Sequence, residues 1–227
     1  MMVLTCVLLV SSYLVGPASG HGRLWDPPCR ATMWRWGYNT PADYNDNQLF
    51  CGGKDHQQHD MGGKCGICGD PYDESQPRTH EIGGPYYKGI IVSNYTVGQE
   101  IEVVVTITAN HLGFFQFKIC EVPGFDTEAT QECLDKNILK LAGSDSTKYY
   151  ITDEVRDFVV NLQLPEDLEC EHCVFQWRYH GGNDWGLCPN GTGMDGCGPQ
   201  EEFYGCADVS VLPPGVIEPV LTKLPVN

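Results

Sequence analysis

The chain has 227 residues, with 30 acidic and 14 basic side chains and a formal net charge of −16. That balance excludes charge-driven binding to nucleic acid or anionic lipid, and it is compatible with an uncharged partner such as a neutral polysaccharide. The length after residue 20 suits one β-sandwich domain, and no linker-like stretch divides it.

Residues 1–20 carry an apolar run from Val3 to Val15 with no charged side chain, followed by Gly16, Ala18, Ser19 and Gly20. The run is too short for a membrane span, and small residues at −3 and −1 predict signal-peptidase cleavage before His21. Residues 1–20 are therefore expected to be a signal peptide and the protein to be secreted. No second apolar run long enough to span a bilayer follows, so no membrane partner is expected.

Of the twelve cysteines, Cys6 leaves with the signal. Eleven remain, and in a secreted chain they read as disulfides with one left over. Cys29 stands apart from the clusters and is expected to be the odd one. Two CxxC pairs, Cys65–Cys68 and Cys170–Cys173, resemble half-sites of a zinc ribbon, but their separation and the oxidising compartment favour disulfides. Asn94 and Asn190 open two Asn-x-Thr sequons, expected as glycosylated surface loops.

Residues 21–90 are dense in Gly, Pro, Asn, Asp and aromatics, and read as a long loop region with short helical turns, stapled by Cys51, Cys65 and Cys68. Residues 99–108 alternate, with Ile101, Val103, Val105 and Ile107 on one face, which predicts a strand. Further strands are predicted from Phe114, over Asp157–Leu164, over Cys173–Tyr179 and over Phe203–Val211. Residues 121–150 read as a loop closed by Cys120 and Cys133, and Gly181–Gly198 as a Gly-rich loop. The segment 213–227 reads as a Pro-containing tail. Many strands and few helices predict an all-β, antiparallel sandwich.

His21, as the first residue of a processed chain, offers a free α-amine and a ring nitrogen. His111 lies at a predicted strand end beside the small residue Ala109. Together they supply three nitrogens in a T-shape, and all-nitrogen tetragonal ligation selects copper. His56 and His59 read as a solvated polar loop. His80 has no partner signal, His172 lies inside a CxxC, and His180 flanks the Gly-rich loop, a place for hydrogen bonding near the surface. The chain has no G-x-S-x-G, H-E-x-x-H, P-loop or dinucleotide motif. Glu201–Glu202 is the most suggestive acid pair for glycoside hydrolysis, but neighbours on a strand point to opposite faces.

Seven stretches in order resemble the lytic polysaccharide monooxygenases, specifically the invertebrate auxiliary-activity family fifteen. They are His21-Gly22-Arg23-Leu24 with Asp26-Pro27-Pro28; Met33-Trp34-Arg35-Trp36-Gly37; Asn45 to Gly53; Gly63 to Asp70; Thr108 to Gly113; Phe175 to Tyr179 with Gly182 to Gly186; and Gly198 to Asp208. They cover nearly all of 21–212. The resemblance implies an immunoglobulin/fibronectin-like sandwich with long stapled loops, and a flat face carrying one copper ion per chain. In that pattern His21 and His111 form the histidine brace, and Ala109 sits beside the open position. Phe203 is the axial residue, or Tyr204 if the strand bulges. Gln176 is either a hydrogen-bond donor behind the metal or a plain sheet residue.

The resemblance also implies oxidative cleavage of chitin, with cellulose as the other substrate, driven by an external electron donor and hydrogen peroxide or dioxygen. Asn183, Asp184 and Trp185 are the expected substrate surface, Trp185 otherwise being core. The chain is expected to act as a monomer. The rival readings are a secreted chitin-binding protein without activity and a copper carrier.

Overall fold

The computed structural model describes residues 21–216. The expected signal peptide, 1–20, lies outside them, as does the expected tail beyond residue 216. Eleven strands follow in order. They are β1 (His21–Asp26), β2 (Ser93–Thr96), β3 (Glu100–Ala109), β4 (Phe114–Glu121), β5 (Lys140–Leu141) and β6 (Tyr149–Tyr150), then β7 (Asp157–Gln163), β8 (Cys170–His180), β9 (Trp185–Leu187), β10 (Gly193–Asp195) and β11 (Glu202–Leu212). One sheet has the order β1-β3-β7-β5 and the other β2-β11-β8-β4-β6, while β9 and β10 form a separate hairpin.

The alternation of β3 places Ile101, Val103, Val105 and Ile107 inside, where they meet Phe158, Val160 and Leu162 of β7. The other sheet contributes Phe115, Phe117, Phe175, Trp177, Tyr179, Phe203, Ala207 and Val209 to the same core. This is the face-to-face packing of a sandwich.

Four expectations are corrected. The region 21–90 is not loop from its start, since it opens with β1. Only Leu24 advertises that strand; Gly22 also turns inward, where a Cβ would lie 2.7 Å from Ile107. The loop 121–150 contains a short helix α1 (Gln131–Lys136), capped by the Thr130 hydroxyl, together with β5 and β6. The sheet is not wholly antiparallel, because β2 runs parallel to β11. Asn94 lies in β2 rather than in a loop, its carboxamide oxygen accepting from the Ser210 hydroxyl.

Disulfides join Cys51–Cys65, Cys68–Cys206, Cys120–Cys133, Cys170–Cys173 and Cys188–Cys197. Among the described residues Cys29 is the free thiol; it is buried, and its burial pushes its pKa up to about 11. Cys65 and Cys68 have different partners, so the zinc-ribbon reading fails on connectivity.

The long loop folds across the outer face of β8 and β11. Cys68 is bonded to Cys206 there, and Ile67 and Cys68 pack with Cys120, Val122, Leu134 and Val174 in a second small core. Both faces of β11 are consequently buried along nearly its whole length.

Candidate metal centre

His21 and His111 arrive at one place because of how β1 pairs with β3. His21 faces Ala109 directly, at the end of the ladder, and His111 follows two residues later. The pairing slips between His21 and Gly22, and the Gly22 N–H donates to Asn47 O at 3.0 Å. The Gln48 side-chain amide touches the His21 ring Nε2.

His111 is 5 % exposed and is held through its backbone. Its N–H donates to the Tyr179 hydroxyl at 2.8 Å, and its carbonyl accepts from the Gly182 N–H at 2.7 Å. Its Nδ1 lies 3.1 Å from the Glu201 carboxylate. The turn beyond it is tight. Leu112 adopts φ 53°, and Gly113, at φ 87°, approaches β8 so closely that a Cβ would lie 2.0 Å from His180 O. A non-glycine residue in the left-handed region marks a turn that the surroundings impose.

Beneath the pair lies Phe203. Its ring centroid is 6.4 Å from that of His21, 5.7 Å from Tyr179 and 6.2 Å from Phe50. Tyr204, next along β11, points to the other face of the sheet and donates its hydroxyl to Glu202 at 2.6 Å. No bulge turns it toward His21, since β11 pairs with β8 in unbroken register from Glu202 to Val209.

The family model for lytic polysaccharide mono-oxygenases, described as cellulose-degrading, matches residues 21–209. The chain belongs to this family. Among solved structures, a family AA15 lytic polysaccharide monooxygenase from Thermobia domestica in the Cu(I) state is similar. It is 44% identical, with a TM-score of 0.82, over 85% of this chain and 99% of that one. No curated protein matches the chain.

In this monooxygenase the remaining predicted residues divide clearly. Trp185 is 67% exposed, so the core reading fails for it. Its ring lies against Gly193 in the β9–β10 hairpin, where a Cβ would come within 2.4 Å. Asn183 is exposed, while Asp184 pairs with Lys54 at 2.9 Å and is anchored through its backbone to the buried Gln200 side chain. Asn190 sits in an exposed turn and accepts from Thr192.

Gln176 is a correction. It projects from β8 to the outer face, where its amide donates to Ile67 O at 2.7 Å and to Gln131 at 3.1 Å. It lies three positions before Tyr179, which does reach the His111 backbone. The side chains beside the two histidines that the sequence reading missed are Gln48, Tyr179 and Glu201. Only Glu201 carried any signal, as half of an acid pair.

Glu202, the other half, is no hydrolytic acid. It is buried and accepts from Arg178, His180, Tyr204 and Gln57. Burial alone would raise its pKa, but the hydrogen bonds from His180 and Arg178, with the Arg178 charge, hold it well below the usual carboxylate range. The other histidines also have acidic neighbours. His56 contacts Asp60 and Asp73, His59 lies 3.9 Å from Asp55, His80 sits between Asp43 and Asp70, and His172 pairs with Asp208.

Among the described residues no three His, Cys, Asp or Glu side chains gather in metal-holding geometry. Side chains alone therefore do not complete a three-ligand site at His21 and His111. The donor set fits a metal once the main-chain nitrogen of His21 is counted as the third ligand. Nor is any helix among the described residues long and apolar enough to cross a membrane.

Proposed function

We propose that this chain performs its family's copper-dependent oxidative cleavage of polysaccharide at a centre built on His21 and His111, with chitin as the substrate. The observation that carries the reading is the register of β1 on β3. It sets His21 opposite Ala109 and brings His111 to the same end of the ladder. In this reading cleavage after Gly20 secretes the protein and frees the His21 amine. One copper ion is held by that amine, a ring nitrogen of His21 and a ring nitrogen of His111.

Bound copper supplies one-electron redox chemistry, fed by an external donor and by hydrogen peroxide or dioxygen. The protein's own residues do the rest. The Tyr179, Gly182 and Glu201 contacts fix the His111 loop and ring. The Ala109 methyl, opposite His21 in the ladder, would leave room beside a bound ion. The Phe203 ring, packed 6.4 Å from that of His21, would line a bound ion with an apolar face that offers no ligand. Asn183, Asp184 and Trp185 form the neighbouring polysaccharide-facing surface, with Trp185 presenting an exposed ring of the kind that stacks on sugars. Asn190 is the better placed of the two glycosylation sequons.

The support for chitin is the resemblance to the invertebrate group, while the matching family model is described as cellulose-degrading. The test incubates processed, copper-loaded monomer with β-chitin and separately with cellulose, with ascorbate, and reads soluble products by mass spectrometry. Oxidised chito-oligosaccharides that need both copper and reductant are expected. Oxidised cello-oligosaccharides alone would reassign the substrate. Binding to either polymer without oxidised products would make the protein a binding module.

A further inference from the structure

A cleft of about 730 Å³ opens beside the His111 loop. Its walls include Phe114, Lys148, Tyr150, Arg178 and His180, and none of its lining residues is acidic. In a chain of net charge −16, this acid-free wall sets one exposed ammonium, Lys148, beside two basic side chains that are ion-paired to Glu202. Arg178 and His180 are anchored from behind by the buried Glu202. Lys148 is exposed, and among the described residues it pairs with no carboxylate; its ammonium lies over the Phe114 ring at 4.3 Å. The Phe114 ring in turn contacts Tyr150 at 5.6 Å and His180 at 5.0 Å.

The floor of the cleft borders the His111 loop. Gly113, Gly181 and Gly182 line it. Gly182 is the residue whose N–H holds the His111 carbonyl, and a Cβ on Gly181 would lie 3.6 Å from His111 Cβ. A ligand seated here is one layer of backbone away from His111. The volume is that of a small-molecule site, and the walls combine aromatic faces with cationic donors. A neutral crystalline polymer would gain nothing from those cations, and a concave cleft does not fit a flat surface.

We propose that this cleft docks the external electron donor as a planar anion, an enediolate of the ascorbate type. The inference rests on the monooxygenase reading above. The bound enediolate monoanion gives up one electron and one proton and departs as its radical anion. The electron reduces copper(II) to copper(I), and the proton passes to water. Lys148 attracts the negative charge, while Phe114 and Tyr150 flank the ring.

The first measurement is an NMR titration of metal-free, isotope-labelled protein with sodium ascorbate, beside acetate, inorganic phosphate and a chitin hexamer. Saturable shifts confined to Phe114, Lys148, Tyr150 and His180 are expected with ascorbate, at lower concentration than with acetate or phosphate. Lys148→Glu, at an exposed position, should weaken ascorbate binding about tenfold, the effect of reversing one charge-assisted contact. The same variant, copper-loaded, should need about tenfold more ascorbate for half-maximal reduction, with an unchanged copper(II) EPR spectrum. Its reduction by uncharged hydroquinone should not be slowed.

Equal shifts with all the anions, shifts with the chitin hexamer in place of ascorbate, or an unaltered ascorbate dependence in Lys148→Glu would each overturn the proposal. Because the titration uses metal-free protein, ascorbate binding with no oxidised products from the loaded enzyme would overturn the reaction assigned above rather than the cleft's anion preference.

Discussion

The Tyr179 hydroxyl accepts the backbone N–H of His111 at 2.8 Å, so a core side chain of one sheet fixes a loop that leaves the other. Tyr179→Phe keeps the ring and its stacking on Phe203 but leaves that buried N–H without its acceptor. A stability loss of about 1 kcal/mol is expected by chemical denaturation. Copper affinity by calorimetry should fall about tenfold, as for loss of other contacts that orient metal ligands. An unchanged affinity would show that the loop holds His111 without this contact.

His111→Ala removes a ring nitrogen without disturbing either sheet, since the residue lies beyond the end of β3. Copper affinity should drop by more than about 100-fold, a larger effect than losing a supporting contact, with oxidised products abolished. The far-ultraviolet circular dichroism should be retained. Full activity in this variant would remove the centre from these residues.

Trp185 lies against Gly193, where a Cβ would come within 2.4 Å of the ring. Gly193→Val should therefore tilt the exposed indole without touching the metal centre. Polymer binding, measured by depletion onto β-chitin, should weaken about fivefold, the loss of about 1 kcal/mol of ring contact. Wild-type binding by this variant would mean the ring is not part of the contact surface.

His80 gives a pH signature far from the centre. Burial works against its charge, but its two ring nitrogens donate to Asp43 and Asp70, at 3.1 and 2.6 Å, and these contacts push its pKa up to about 9. A pKa raised from an ordinary value of 6.5 gives stability that is fully present below that value and lost as pH rises to about 9. The melting temperature should fall across that window, and His80→Asn should flatten the fall. Parallel curves for the two proteins would place the effect elsewhere.

Arg30 is buried and makes two hydrogen bonds to Asp208, at 2.9 and 2.7 Å, with a further one to Glu128 at 2.7 Å. Arg30→Leu takes the guanidinium from the buried Asp208 carboxylate, leaving it the His172 contact, and should cost about 3 kcal/mol in denaturation. The double variant Arg30→Leu/Asp208→Leu should recover part of that loss, and a simple sum of the two single effects would refute the pairing.

The strands β3 and β7 are legible in the sequence because each buries one face and wets the other, so Ile101 to Ile107 and Phe158 to Leu162 alternate cleanly. The strands β8 and β11 are legible in place but not in surroundings. Gln176, Arg178, Glu202 and Asp208 look like a solvated face, and only the loop fastened by Cys68–Cys206 shows that they are covered. Gln176 was misplaced for that reason. His21 and His111 carry chemistry that residue type reveals. Gln48, Tyr179 and Glu201 join them through contacts 27, 68 and 90 residues apart in the chain, and no local pattern announces those. Strand alternation, by contrast, separates Phe203 from Tyr204 correctly, because β11 stays regular where they lie.

The bond between Cys68 and Cys206 spans 138 residues, while Cys51–Cys65 spans 14. A chain leaving the ribosome presents Cys51, Cys65 and Cys68 long before Cys206 exists. The long loop can close its small ring early, but it cannot be fastened to the sandwich until the last strand has been made. Cys68 must wait as a thiol beside Cys65, three positions away, or be released from an early wrong partner by thiol–disulfide exchange. Fastening of the long loop to the sandwich therefore waits on the C-terminal strand that carries Cys206.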